Sequence, residues 1–151
     1  ALNILSGHKE YLSKLSSYSV LTPHPKEFDR IAGDSDNGWE RHQKQIDFAR
    51  KYNVIVVLKG TYTIVCDPDG NSWINMTGNP GLAKGGSGDV LTGMIASFMA
   101  QNYSPLDSSL LAVFIHGTAA DLALGQESQE SLIASDIIKK IGEAFIKIRN
   151  Y

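Results

Sequence analysis

A chain of 151 residues with a formal net charge of −2 and a pI near 6.1 has room for one domain with a real core. It carries no basic surplus of the kind that attracts nucleic acid or an anionic membrane. The single cysteine, Cys66, excludes an internal disulfide and fits a reduced, cytoplasmic home; no apolar run reaches the length of a membrane span and no signal peptide is visible.

Taken in chain order, the pattern alternates helix and strand. Residues 1–15 have helical spacing, with Leu2, Leu5 and Leu12 as core candidates. Tyr18–Thr22 is a short apolar run that ends at Pro23, as a buried strand entering a loop would. Pro25 can open a short helix through Ile31, because proline suits a first helical turn. The polar stretch from Gly33 to Gly38 predicts a loop ending at a helix cap, followed by an amphipathic helix over Trp39–Tyr52 with Ile46, Phe48 and Ala49 on its apolar side. Val54–Leu58 is unbroken aliphatic sequence, the pattern of a strand covered on both faces in a parallel sheet. Tyr62–Cys66 and Ser72–Asn75 flank Asp67-Pro68-Asp69-Gly70 and predict a hairpin. Beyond a glycine-rich loop, Val90, Leu91, Met94, Ile95, Phe98 and Met99 fall on one helical face. Leu110–Leu124 predicts an alanine-rich helix packed on two sides, and Ser135 an N-cap for a last helix ending near Arg149. There is no internal repeat and no convincing boundary, so 1–151 reads as one α/β unit or part of one.

The most informative stretch lies between Asn75 and Gly93. Gly85, Gly86 and Gly88 crowd against Ser87 and Asp89, and a helix follows at once. Glycines let backbone N–H groups converge on an anion, and a helix start adds unpaired N–H groups and a positive dipole end. A carboxylate repels a bound phosphate, so Asp89 at that place suggests chemistry on the phosphate with Asp89 as base. The commoner motifs fail. Lys84 precedes its glycines, which breaks a Walker A loop, and the dinucleotide fingerprint fails because Leu91 stands where its last glycine belongs. His8, His24, His42 and His116 lack metal spacing, and no Gly-x-Ser-x-Gly elbow is present.

The segment Thr77-Gly78-Asn79-Pro80-Gly81-Leu82-Ala83-Lys84-Gly85-Gly86-Ser87-Gly88-Asp89 resembles the signature of the NAD(P)H-hydrate dehydratases, repair enzymes of the ribokinase-like superfamily. Leu21-Thr22-Pro23-His24-Pro25 with Glu27, Val57-Leu58-Lys59-Gly60 with Thr63, and Ala1-Leu2-Asn3 resemble further family segments in the same order. His116-Gly117, Ala120-Asp121 and Ser135-Asp136 match family habits as well.

The resemblance implies a three-layer α/β/α sandwich of ribokinase type, of which 1–151 would be the C-terminal fragment, lacking an N-terminal portion. It implies dehydration of the S epimer of hydrated NADH or NADPH at the expense of ADP (or ATP), with Mg²⁺ as phosphate partner. Asp89 would be the catalytic base and would also contact substrate. The amides of Gly86, Ser87 and Gly88 would stabilise the transferring phosphoryl group. Lys59, Gly60, Thr61, Tyr62 and Thr63 would hold the nucleotide, and His24 would touch the hydrated dinucleotide. No protein metal ligands are readable. A homo-oligomer, fusion to an epimerase domain and a cytoplasmic location are expected, and the fragment alone is expected to be inactive. A small-molecule kinase of the same superfamily and a non-catalytic nucleotide-binding fragment are the alternatives. Among the remaining residues, His116 is expected to be a satisfied core histidine, Lys84 to lie near phosphate or face solvent, and Trp39, Trp73 and Cys66 to be packing residues.

Overall fold

In the computed structural model, which describes residues 2–149, the chain divides into two compact units that meet in sequence at Ile74 and Asn75. Ala1 of the Ala1-Leu2-Asn3 segment lies outside the described residues.

The first unit opens with helix α1 (Leu2–Gly7) and a 3₁₀ turn over Lys9–Lys14. The single helix predicted through Leu15 is therefore broken, because Gly7 is a poor helix former and His8 leaves the helical region at φ −137°, ψ 64°. The leucine pattern still holds: Leu12 is buried and Leu2 and Leu5 pack against the same core. Strand β1 is only Val20–Leu21. Its entry is shaped by Tyr18 at φ 61°, whose amide donates to the Asn53 carbonyl, and its ladder stops where Pro23 has no N–H to offer. Helix α2 (Pro25–Ala32) starts on a capping box between His24 and Glu27 and ends at Gly33, φ 101°. Helix α3 (Gly38–Tyr52) is capped by the Asn37 side chain and closed by left-handed Asn53.

Strand β2 (Ile55–Leu58) runs parallel to β1 with Val20 opposite Ile55, and is fully buried as its aliphatic run predicts. The sheet is mixed rather than parallel: β3 (Ile64–Cys66) returns antiparallel to β2, and β4 (Ser72–Ile74) antiparallel to β3 through the predicted Asp67–Gly70 turn. Phe28, Ile31, Phe48, Ala49, Val54, Val56, Leu58 and Cys66 fill the core. Gln45 of α3 is 0% exposed, and its Nε2 donates to the carbonyls of Val56 and Ile64, both at 2.9 Å. Two tryptophan expectations are corrected. Trp39 is 72% exposed at the start of α3, and Trp73 lies on β4, whose three residues are all exposed. Each is held by an element too peripheral to cover an indole, whereas Cys66 sits on the inner strand and is buried.

The second unit has three long helices among its described residues: α4 (Ser87–Ala100), α5 (Pro105–Ala123) and α6 (Ala134–Arg149). Helix α5 packs against both others and buries eleven of its nineteen residues, which accounts for its run of Ala112, Gly117, Ala119, Ala120 and Ala123. It begins five residues before the predicted start, because Ser104 caps it by accepting from the Asp107 amide and Pro105 occupies the first turn. Met99 is corrected to an exposed position near the end of α4, while Leu91, Met94, Ile95 and Phe98 are buried as expected. Ser135 is the second residue of α6 and not its cap; Asp136 instead accepts from the Ile133 amide at 3.2 Å. Among the described residues no helix is long and apolar enough to cross a membrane.

Candidate functional site

In the first unit, β1 and β2 are parallel neighbours, so their carboxyl ends emerge at the same edge of the sheet. The Lys59 amide donates to the Pro23 carbonyl at 2.9 Å, which extends the pairing past the last ladder residues. His24 and Lys59 are thus brought together from positions 35 apart in sequence. Crevices at the carboxyl ends of parallel strands are the usual ligand sites of open α/β sheets.

His24 also has a local task. Its Nδ1 accepts from the Glu27 amide at 3.3 Å, and its own amide donates to Glu27 Oε2 at 2.9 Å. Accepting through Nδ1 leaves the proton on Nε2, which lies 3.5 Å from Glu27 Oε2 on a half-exposed ring. Lys59, Gly60, Thr61, Tyr62 and Thr63 form the connection from β2 to β3, beyond the last pair Leu58–Ile64. Gly60, Thr61 and Tyr62 are exposed, and Lys59 and Thr63 are half-buried. The two bonds from Gln45 hold the strands on either side of this turn. Sequence reasoning passed over Gln45, since a lone glutamine on a polar-rich helix carries no signal of burial.

In the second unit, Gly86 at φ +89° turns the chain into α4 with no side-chain cap. Its carbonyl accepts from the amides of Asp89 and Val90, both at 3.1 Å. The helical ladder therefore starts at Asp89, and the amides of Gly86, Ser87 and Gly88 precede it at the positive end of the dipole. Asp89 is exposed in the first turn. The Ser87 side chain points the other way: it is buried, with Oγ 3.4 Å from Nε2 of His116, itself only 6% exposed on α5. Ser87 thus offers an incoming anion its backbone rather than its hydroxyl, and His116 has the buried place expected of it.

The segment before the glycines is strapped to α5. The Thr77 hydroxyl lies 3.1 Å from the Phe114 carbonyl. The Gly78 amide donates to Asp121 Oδ2 at 2.9 Å, and Asn79 Nδ2 donates to Asp121 Oδ1 at 3.0 Å. Asn79 Oδ1 in turn accepts from the Gly81 amide at 3.0 Å. Gly117 has no Cβ to meet the Thr77 backbone, which would otherwise lie 2.7 Å away. Lys84, an exposed residue, donates to the Glu130 carbonyl.

A profile of the NAD(P)H-hydrate dehydratase family matches residues 1–143. The chain belongs to this family. It is 40% identical over 133 residues to the ADP-dependent (S)-NAD(P)H-hydrate dehydratase of Bacillus subtilis, covering 83% of this chain and 48% of that protein. It is 39% identical over 140 residues to the bifunctional NAD(P)H-hydrate repair enzyme Nnr of Moorella thermoacetica, covering 91% of this chain and 26% of that protein. The chain therefore spans about half the length of the first relative and about a quarter of the second.

Among solved structures, the ADP/ATP-dependent NAD(P)H-hydrate dehydratase from Bacillus subtilis, co-crystallised with ATP and Mg²⁺, superposes with a TM-score of 0.81 at 36% identity, over 86% of this chain and 48% of that one. A ribokinase-like superfamily protein from Enterococcus faecalis superposes with a TM-score of 0.72 at 24% identity, over 97% of this chain and 50% of that one, and shows the α/β ribokinase-like fold.

No three His, Cys, Asp or Glu side chains among the described residues converge to hold a metal. Mg²⁺ arriving on nucleotide phosphates is held chiefly by phosphate and water and needs at most one or two protein carboxylates, so it requires no such cluster.

Proposed function

We propose that this chain forms part of a ribokinase-like dehydratase domain that repairs nicotinamide nucleotides. The reaction is ADP-dependent conversion of (S)-NAD(P)H hydrate to NAD(P)H, with release of AMP and phosphate. The observation that carries the reading is the glycine-headed start of α4 with Asp89 exposed in its first turn. The reading is supported by the Bacillus subtilis relative, 40% identical over 133 residues, which is by name an ADP-dependent (S)-NAD(P)H-hydrate dehydratase.

In this mechanism the hydroxyl of the hydrated ring attacks the terminal phosphorus of ADP. The new O–P bond forms as the bond to AMP breaks, and Asp89 takes the hydroxyl proton. Phosphate then leaves with the ring C–O electron pair while a neighbouring ring carbon loses its proton to solvent, which restores the double bond. The amides of Gly86, Ser87 and Gly88 stabilise charge on the transferring group, and removing one such preorganised donor costs about 10²–10³ in rate. The Lys59–Thr63 turn holds the nucleotide, and His24 Nε2–H is offered to the hydrated dinucleotide. Mg²⁺, when bound with the nucleotide, neutralises phosphate charge. The bifunctional relative supports a second repair domain, an epimerase, on the same polypeptide. Self-association and a cytoplasmic location complete the proposal.

The test uses the whole natural protein with S-hydrated NADH and ADP, following the return of nicotinamide absorbance. Turnover that requires nucleotide and disappears in Asp89→Asn supports the reading. Recovery of absorbance without nucleotide, or an undiminished Asp89→Asn variant, refutes it.

A further inference from the structure

The stretch from Gly78 to Ser87 is gripped at both ends by one helix. At its start, the Asp121 carboxylate accepts from the Gly78 amide and from Asn79 Nδ2. At its end, Ser87 Oγ meets His116 Nε2 at 3.4 Å. His116 and Asp121 are five residues apart on α5, about 7.5 Å along its axis. Helix α5 is the most buried element of its unit and packs against α4 and α6, so it is a rigid base for both grips.

Between the grips, the carboxylate's hold passes on in steps. Asn79 Oδ1 accepts from the Gly81 amide, and Gly81 is buried where a Cβ would strike Leu132 and the Gln129 carbonyl. The amides of Leu82 and Ala83 close a 3₁₀ turn on Asn79 and Pro80. Only Lys84 and Gly85 then remain before Gly86 turns into α4.

We propose that Asp121 is a positioning residue: through Asn79 it sets the register of the loop that presents the Gly86–Gly88 amides and Asp89. The proposal rests on the phosphate-handling reading of that loop. It predicts that the polarity of the Asp121–Asn79 pair, and not the bulk of either side chain, is what matters. Asp121→Asn sets two amide groups against each other or forfeits one bond. Asn79→Asp brings two carboxylates face to face. In the exchange Asn79→Asp/Asp121→Asn, the amide at 121 donates to the carboxylate at 79 and still accepts from Gly78. The carboxylate at 79 still accepts from Gly81.

The experiment makes both single variants and the exchange in the whole natural protein. It measures amide hydrogen exchange over 78–88 without ligand, and kcat and KM for ADP-dependent turnover. Each single variant should raise exchange over 78–88 about tenfold while α5 and α6 stay protected. Each should also lower kcat by about 10- to 100-fold, the scale of a displaced reacting group, and the exchange should recover both quantities to within about threefold of wild type. Unchanged protection in the singles, loss of protection throughout the unit, or no recovery in the exchange overturns the proposal. A wild-type protein without turnover overturns the functional reading alone, because the hydrogen-exchange readout still decides the role of Asp121.

Discussion

Replacing Gly117 with alanine sets helix propensity directly against tertiary packing. In an isolated helix the change stabilises by about 1 kcal/mol. In α5 the new Cβ would lie 2.2 Å from Thr77 Oγ1, 2.7 Å from the Thr77 carbonyl carbon and 2.8 Å from its oxygen. The hydroxyl can rotate away, but the backbone atoms cannot. To regain ordinary contact the strap must lift from α5 by about 1 Å. Overpacking of this kind costs about 1–3 kcal/mol, and weakening the Thr77–Phe114 and Gly78–Asp121 bonds adds about 1–2 kcal/mol. After the propensity gain, the net loss is about 1–4 kcal/mol, or about 5–30 °C in Tm for a unit of this size.

Gly93 in α4 and Gly142 in α6 are the matched controls, since nothing lies within 4 Å of a Cβ at either and both are mid-helix. Alanine there should raise stability by about 0.5–1 kcal/mol. Thermal unfolding followed by far-UV circular dichroism compares the three. A Gly117→Ala protein as stable as wild type, or one that gains as Gly93→Ala does, refutes the close approach of the strap to α5.

Two further predictions concern the first unit. Burial, reinforced by Asp67 and opposed by the Ser72 hydroxyl, pushes the Cys66 thiol up from 9.0 to about 11. The folded protein therefore keeps its proton where the unfolded chain has lost it. Stability should fall as pH rises from about 9 to 11. Iodoacetamide at pH 8 should label the folded protein far more slowly than the urea-unfolded chain, and equal rates would count against the buried thiol. His24→Asn retains a good N-cap for α2 while removing the imidazole. The expected result is an unchanged Tm with KM for the hydrate raised about three- to tenfold, the loss of one hydrogen bond; an unchanged KM would remove His24 from the substrate's contacts.

Legibility from sequence followed locality. Pro25 with His24 and Glu27, the Asp67–Gly70 hairpin and the aliphatic β2 run are decided within a few residues, and each formed where expected. The errors share a physical origin in context. The sequence reads Trp39 and Trp73 as packing residues, but burial depends on what stands opposite, and neither the start of α3 nor β4 has cover. Gln45 is polar by type and wholly buried by position, because two strand carbonyls accept from its amide. The glycine loop before α4 stands out from its composition alone. The grip of α5 on it does not, since Asp121 lies 42 and 43 residues from its two partners.

By itself, then, the order of residues determined most of the elements, the family and the candidate groups for the proposed chemistry: a glycine-headed helix, Asp89, Lys59 and His24. These follow from backbone freedom, capping and side-chain chemistry, which act over one or two turns of chain. Tertiary structure alone decided that Pro23 pairs with Lys59, that Ser87 turns its hydroxyl inward to His116, and that Asp121 fastens Gly78 and Asn79 to α5. Those are contacts between distant residues, whose existence depends on strand register and helix packing rather than on any local preference.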